Sequence, residues 1–360
     1  MKICYFGDAD SIHVVRWCRH FVSLGHEVHL ISFKKTTIDG VVTHFFDVGP
    51  IDVKGKNWKV VLKFRKIKSL LNKLKPDIFH SLYATSYGFT GALCNYHPYI
   101  ITAFGSDVLI SPKGNPVYKT LLRYAFEKAD WITVLAEHMQ SKIEDLADVH
   151  KKISIVAFGI DPTVFNAKNR NIPKNEFVIV STRALEPIYN IPHLINSVAL
   201  AAIQVPNIRL QITGSGSLEA DLKKLVKEKG LEKVTTFYGQ VPANDLAKML
   251  TNSSLFISVS YSDGNNISLN EAMACGTLCI ASDIAANRQW IDDGQNGFLV
   301  KLDDVNGLAN AIVEVYKNYE AFTQKFVETN IKIVEDKANW PNNMKKVEDK
   351  YKELLGNQDK

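Results

Sequence analysis

Twelve short apolar runs punctuate this chain, and helical spacing fills most of the gaps between them. The first, MKICYFGD, closes on a glycine turn and leads into HVVRWCRHFVSLGH, which repeats apolar residues at helical intervals and ends at Gly25. EVHLISF, PDIFHSL, YIITAFG, WITVLAE and ISIVAFG follow, and a second series runs through FVIVST, RLQITG, TTFYG, LFISVS, LCIAS and GFLV. Short apolar runs separated by helices read as parallel strands buried on both faces. The pattern therefore predicts two doubly wound α/β halves. A length of 360 residues accommodates two domains of ordinary size. The polar stretch DPTVFNAKNRNIPKN, Asp161 to Asn175, has the composition of a linker. It places an N-terminal domain over 1–165 and a second over 175–335. The remainder, 336–360, contains WPNNMKKVEDKYKELLGNQDK, a charged amphipathic helix.

Composition removes several alternatives. Hydrophobic residues make up 46% of the chain, as a soluble globular protein requires, and no apolar run approaches the roughly 18 residues of a membrane span. The N-terminus lacks the layout of a signal peptide. Five cysteines without a Cys-x-x-Cys pair argue against a disulfide framework or a zinc site and point to the cytoplasm. Cys275 and Cys279 read as small core residues.

The net charge of +5 is uneven. Residues 1–165 hold 21 Lys and Arg against 15 Asp and Glu, and the rest hold 22 against 23. Lys54 to Lys75 carries nine basic residues and no acid, with Val60, Phe64, Ile67, Leu71 and Leu74 at helical spacing and Trp58 near its start. Such a helix can lie on anionic lipid, or pack its apolar stripe on its own sheet.

Two stretches carry ligand chemistry. GSGS, Gly214 to Ser217, follows a strand and opens a helix, which suits a phosphate or a close backbone approach. It lacks the third glycine and downstream acid of a dinucleotide fingerprint, which argues against a nicotinamide enzyme. YSDGNNISLNEAMACGTLCIASD, Tyr261 to Asp283, reads as a strand end, a polar turn and a helix, with Ser268 as the expected N-cap. Asp263 and Glu271 bracket the helix start. Free N–H groups there would hold a diphosphate, Glu271 would face ribose hydroxyls, and Asp263 would face the sugar. The plainer alternative is that both acids only cap or decorate the helix.

At these residues the chain resembles the retaining glycosyltransferases of family 4. The resemblance spans nearly the whole chain, through VVRWCRHFVSLGHEVHLIS, PDIFHSLYATSYG, GSDVL, FGIDPTVF and, most specifically, EAMACGTLCIASD. It implies the GT-B fold of two facing Rossmann-like domains, with the C-terminal helix crossing back to the first. The family signature is Glu, seven residues, Glu. Asp263 replaces the first acid and Glu271 matches the second. Arg183 matches the family arginine that neutralises the donor diphosphate, while the lysine expected five residues later is Ile188, followed by Tyr189 and Asn190. The histidine many members place before the glycine of GSDVL is Phe104, leaving Asp107 and His80 as nearby polar candidates.

The resemblance further implies that Gly7 reaches toward the donor and that Asp8, Ser11, His13 and Arg16 line the acceptor side. Gly214, Gly216, Gly239, Val241, Gly264, Asn265, Asn266, Ile267 and Ser268 complete the donor site. The implied reaction moves a hexosyl unit, with retention, from a nucleotide-sugar to the hydroxyl of a saccharide or lipid-linked acceptor, with domain closure excluding water. Uridine is the expected base. The leaving phosphate takes the acceptor proton, so neither an enzymic base nor a metal is expected, and the nucleotide-sugar is a substrate rather than a cofactor. Polysaccharide or glycolipid synthesis at the inner face of a membrane fits the basic N-terminal half, with peripheral contact to anionic lipid and no nucleic-acid partner. The departures at Asp263, Ile188 and Phe104 leave open a non-catalytic nucleotide-sugar-binding protein of the same fold.

Overall fold

The computed structural model describes residues 1–49, 58–111 and 115–356. The chain divides into two compact units, Met1–Val156 with the segment from Lys345 onward, and Ala157–Met344. The polar stretch 161–175 thus lies inside the second unit, where the Phe165 side chain is buried.

The first unit is built on a seven-stranded parallel sheet. Its strands are β1 (Lys2–Phe6), β2 (Glu27–Ser32), β3 (Val41–Phe45), β4 (Ile78–Leu82), β5 (Tyr99–Thr102), β6 (Trp131–Val134) and β7 (Ile153–Ile155), in the order β3-β2-β1-β4-β5-β6-β7. The second has a six-stranded parallel sheet of β8 (Phe177–Ser181), β9 (Ile208–Ile212), β10 (Thr235–Phe237), β11 (Leu255–Ser258), β12 (Leu278–Ser282) and β13 (Phe298–Val300), ordered β10-β9-β8-β11-β12-β13. Both orders reverse direction once, between β1 and β4 and between β8 and β11. Such a reversal opens a crevice at the carboxyl ends of the two strands.

All twelve runs became strands, and β3 is an addition. It pairs with β2 alone at the sheet edge and is half exposed, so it lacks the continuous apolar run of a central strand. The central strands show why the others were legible. In the second unit Ile179, Ile257 and Ile280 enter one apolar cluster, while their neighbours Val180, Phe256 and Cys279 enter another. Alternate residues of a strand face opposite sides, so burial of both sets requires helices on both faces. Each fully buried side chain of this kind contributes about 1.5–3 kcal/mol.

In the first unit Tyr5, Trp17, Phe21 and Tyr351 pack ring against ring, with centroids 5.4 Å apart for Phe21–Tyr351 and 6.2 Å for Tyr5–Trp17. Tyr351 comes from the last helix, Trp340–Gly356, in which the chain crosses from the second unit to the first. All five cysteines are free and buried. No helix among the described residues is long and apolar enough to cross a membrane. In the basic segment, the helix Phe64–Leu74 buries Ile67 and Leu71, so its apolar stripe is consumed by its own unit. Lys54, Lys56 and the Trp58 side chain lie outside the described residues.

Candidate active site

In the second unit the crevice falls between the loops after β8 and β11, and both deliver charge to it. Arg183 follows β8 and is only 8% exposed. Its Nη1 donates to Asn266 Oδ1 at 2.9 Å and to Ser268 Oγ at 3.3 Å, and its Nη2 donates to Asp263 Oδ2 at 2.5 Å. The guanidinium lies over the Tyr189 ring, 4.3 Å from its centroid. Its Nε–H is buried and has no acceptor among the described residues. No other Lys or Arg among them is hydrogen-bonded into this cluster.

The helix after β11 runs Ile267–Ala274 and is capped by Asn266, whose Oδ1 accepts from the Leu269 N–H at 3.2 Å. Ser268, the expected cap, is instead the second helical residue. Asn and Ser are comparable cap formers, and here Ser268 Oγ donates to the Thr182 carbonyl while accepting from Arg183. The Asn266 amide is fixed from below, donating to Ser258 Oγ and Asn287 Oδ1. Trp290 Nε1 holds Asn265 Oδ1. Gly264, Asn265 and Asn266 are buried, and Ile267 is half-buried. Glu271 lies one turn beyond Ile267, half-buried. Its charge, after burial, helps push the Cys275 thiol up to about 12.

GSGS resolves in favour of a close backbone approach. A Cβ on Gly214 would meet the Arg183 carbonyl oxygen at 2.6 Å, and one on Gly216 would clash with that of Leu185. The Leu185 and Leu218 N–H groups complete the stitching, donating to the Ser215 and Leu185 carbonyls. The turn before the helix Glu219–Glu228 is taken by Glu186, which accepts from the Ser217 N–H at 2.8 Å and from its hydroxyl at 2.6 Å. That carboxylate occupies the place where a phosphate was expected, so Gly214 and Gly216 position the Arg183 loop. The Gly239 carbonyl accepts from the Gly214 N–H, and Val241 is half-buried beside it in sequence.

In the first unit two of the expected polar groups turn inward. His80 is fully buried, with Nδ1 2.5 Å from the Tyr351 hydroxyl and Nε2 2.7 Å from Thr102 Oγ1. Burial lowers its pKa to about 3, so the ring is neutral. Asp107 is fully buried and accepts from the backbone N–H groups of Ala84, Phe104 and Gly105. Burial raises its pKa and those bonds oppose the rise. Neither side chain reaches solvent, which corrects the expectation that His80 and Asp107 stand at the reacting centre. Both hold the sheet ends and loops in place.

The remaining acceptor candidates sit at the carboxyl end of β1. Gly7 lets Val14 and Leu82 pack closely, where a Cβ would meet them at 3.1 and 3.3 Å. The Asp8 carboxylate accepts from the Asp10 N–H, and Asp10 pairs with Lys34 and takes a bond from Thr36 Oγ1. Ser11 precedes the helix Ile12–Ser23 without a side-chain cap bond. His13 sets its ring edge-on to Phe104 at 5.7 Å, and burial followed by the Arg16 charge lowers its pKa to about 4. Arg16 is half-buried one turn along.

Comparison with known proteins decides what these two crevices belong to. The profile of "Glycosyl transferases group 1" matches residues 164–332, and that of "Glycosyl transferase 4-like" matches 2–135. The chain belongs to the group 1 glycosyltransferases. The N-acetyl-alpha-D-glucosaminyl L-malate synthase of Bacillus anthracis is 22% identical to this transferase over 317 residues, 82% of this chain and 81% of that protein. An Escherichia coli enzyme, UDP-Gal:alpha-D-GlcNAc-diphosphoundecaprenol alpha-1,3-galactosyltransferase, is 28% identical over 270 residues, 68% of each chain. Among solved structures, sucrose-phosphate synthase from Thermosynechococcus elongatus superposes with a TM-score of 0.84 at 18% identity, covering 99% of this chain and 100% of that one. Anabaena HepE in complex with UDP gives 0.82 at 14% identity, covering 98% and 100%. The fold is GT-B.

Two aromatic residues of the transferase escaped the sequence reading. Tyr83, after β4, holds a left-handed backbone with φ 113° and bonds Ser106 Oγ at 2.9 Å. A non-glycine residue held so is strained, and strain of this kind gathers at functional sites. Tyr189, beside the missing lysine, is the other. Neither gives a periodic signal, although Tyr83 lies within PDIFHSLYATSYG. For Tyr189, proximity to Ile188 was the only available clue.

Proposed function

We propose that this glycosyltransferase transfers a hexosyl unit with retention from a UDP-sugar to an acceptor hydroxyl in polysaccharide or glycolipid synthesis. The observation that carries the reading is Arg183. A buried guanidinium with an unmatched Nε–H, beside the N-terminus of Ile267–Ala274, is a prepared anion site. As the sugar–phosphate bond breaks, negative charge builds on the departing diphosphate, and fixed donors aimed at it lower the barrier. Arg183 and the helix end supply those donors. The leaving phosphate then accepts the acceptor's proton, so no step requires a side-chain base or a metal. His80 and Asp107 are buried away from any substrate, which fits a mechanism without them. Asp263 shares the guanidinium with the incoming diphosphate, and Glu271 binds the ribose. Uridine and a lipid-linked acceptor draw support from the UDP in HepE and from the diphosphoundecaprenol acceptor of the E. coli relative.

A thermal-shift titration without metal tests this reading, using UDP, GDP, ADP and NAD on wild type, Glu271→Ala and Arg183→Gln. Native-state binding raises the melting temperature. UDP is expected to stabilise the wild type and neither variant. Stabilisation by NAD alone, or by none of the four, overturns the reading. Release of UDP from a UDP-hexose only when acceptor is present separates an enzyme from a binding protein.

A peripheral membrane contact at the inner face belongs to the same proposal. Arg65, Lys66, Lys68, Lys73 and Lys75 are exposed and make no ion pair among the described residues. Near an anionic bilayer each contributes about 1 kcal/mol. Sedimentation with phosphatidylglycerol vesicles at low salt, lost when these residues become Gln, is expected. Equal sedimentation of the variant removes this part.

A further inference from the structure

We infer that Tyr189, beside the position of the absent lysine, holds the Arg183 guanidinium at the angle that receives the donor diphosphate. The inference rests on the reading of Arg183 given above. A second cation would add charge to the site. An aromatic ring adds none, but it fixes the plane of the guanidinium stacked on it. The Tyr189 ring lies 4.3 Å from the Arg183 Cζ, and its outer parts pack on the apolar core of the second unit.

The segment that carries the ring is held on both sides along the chain. The carbonyl of Ile188 accepts from the Tyr261 N–H at 2.9 Å. On the other side, Asn190 Nδ2 donates to Asp303 Oδ1 at 3.0 Å, and the Tyr261 hydroxyl donates to the same oxygen at 2.8 Å. Asn190 and Asp303 both hold left-handed backbones, φ 51° and 60°. The loops after β8, β11 and β13 are therefore tied into one strap with Tyr189 at its centre. With its plane set by the ring, Arg183 spends Nη1 on Asn266 and Ser268 and part of Nη2 on Asp263, and keeps Nε–H unmatched. Tyr189 is a positioning residue, acting on the donor only through Arg183.

The test compares Tyr189→Phe, Tyr189→Leu and Tyr189→Met, alone and in the Arg183→Gln background. The first measurement needs no ligand. In the arginine-labelled protein, the Arg183 Nε–H resonance carries the ring current of Tyr189. It should stay near its wild-type position in the Phe variant and move downfield and broaden in the Leu and Met variants. The second is calorimetric binding of inorganic pyrophosphate and of UDP. The Phe variant should bind within twofold of wild type. The Leu and Met variants should bind tenfold or more weakly, with the donor KM raised at a melting temperature close to wild type. In the Arg183→Gln background the Leu change should add nothing, because a group that acts only through Arg183 has nothing left to orient. An unmoved Arg183 resonance in a folded Leu or Met variant overturns the inference. So does a loss of pyrophosphate binding that adds fully to that of Arg183→Gln. If the resonance moves but wild type binds neither pyrophosphate nor UDP, the orienting contact stands and the donor role of Arg183 falls.

Discussion

The two switch points of this transferase share a strand order and differ in what they do with their polar atoms. Near the first, His80 within β4 and Asp107 after β5 have committed their nitrogens and oxygens to Tyr351, Thr102 and backbone N–H groups. After β8, Arg183 keeps a donor unmatched beside the start of the helix Ile267–Ala274. What separates a site from a scaffold is whether hydrogen-bonding capacity has been spent within the protein.

That contrast can be broken from its structural side first. Tyr351→Ala empties the aromatic core of the first unit and removes the partner of His80, and should cost about 3–5 kcal/mol. The loss should be read by circular dichroism in a urea titration. A change of less than 1 kcal/mol would show that Tyr351 and His80 are not the structural pair described. On the other side, Arg183→Gln should lower kcat/KM for the sugar donor by about 10²–10³-fold, as loss of a transition-state donor does, with little change in urea midpoint. A variant that loses stability rather than rate would place Arg183 with the scaffold.

Acidification sharpens the comparison further. The native first unit keeps His80 neutral down to about pH 3, against an ordinary value of 6.5. Between those values the unfolded chain binds the extra proton, so stability falls as pH drops through that window and is unaffected above it. The slope reaches about 1.4 kcal/mol per pH unit. His80→Gln should flatten it, measured by urea unfolding at pH 7, 6 and 5. Identical slopes would mean another group carries the acid sensitivity. Asp263→Asn makes the smallest expected change. It frees the guanidinium from a competing carboxylate and should tighten UDP binding about threefold while slowing transfer. Weaker UDP binding would show that Asp263 supports the Arg183 geometry rather than competing for it.

The same distinction explains what was legible in the sequence. Central strands such as β1, β4, β8, β11 and β12 were visible because each is a nearly continuous buried run. The edge strand Val41–Phe45 was not, because one exposed flank breaks that pattern. Arg183, Asp263 and Ser268 announced themselves by motif, and the fold brings them within hydrogen-bond distance. The roles first assigned to His80 and Asp107 failed because a sequence names a side chain without saying who already holds it. Ser268 was misread as the cap because Asn266, two residues earlier, caps equally well. Tyr189 carries no charge to mark it beside Arg183, and only the fold sets its ring against the guanidinium.

The last helix carries a consequence for biosynthesis. The core of the first unit contains Tyr351, yet 188 residues of the second unit, Ala157–Met344, are translated between the first strands and that side chain. On the ribosome the N-terminal sheet waits with an open slot at Tyr5, Phe21 and His80 while the second unit is made, although domains generally fold in the order of their synthesis. The unit synthesised first is thus the last to be finished, and an incomplete chain cannot close it.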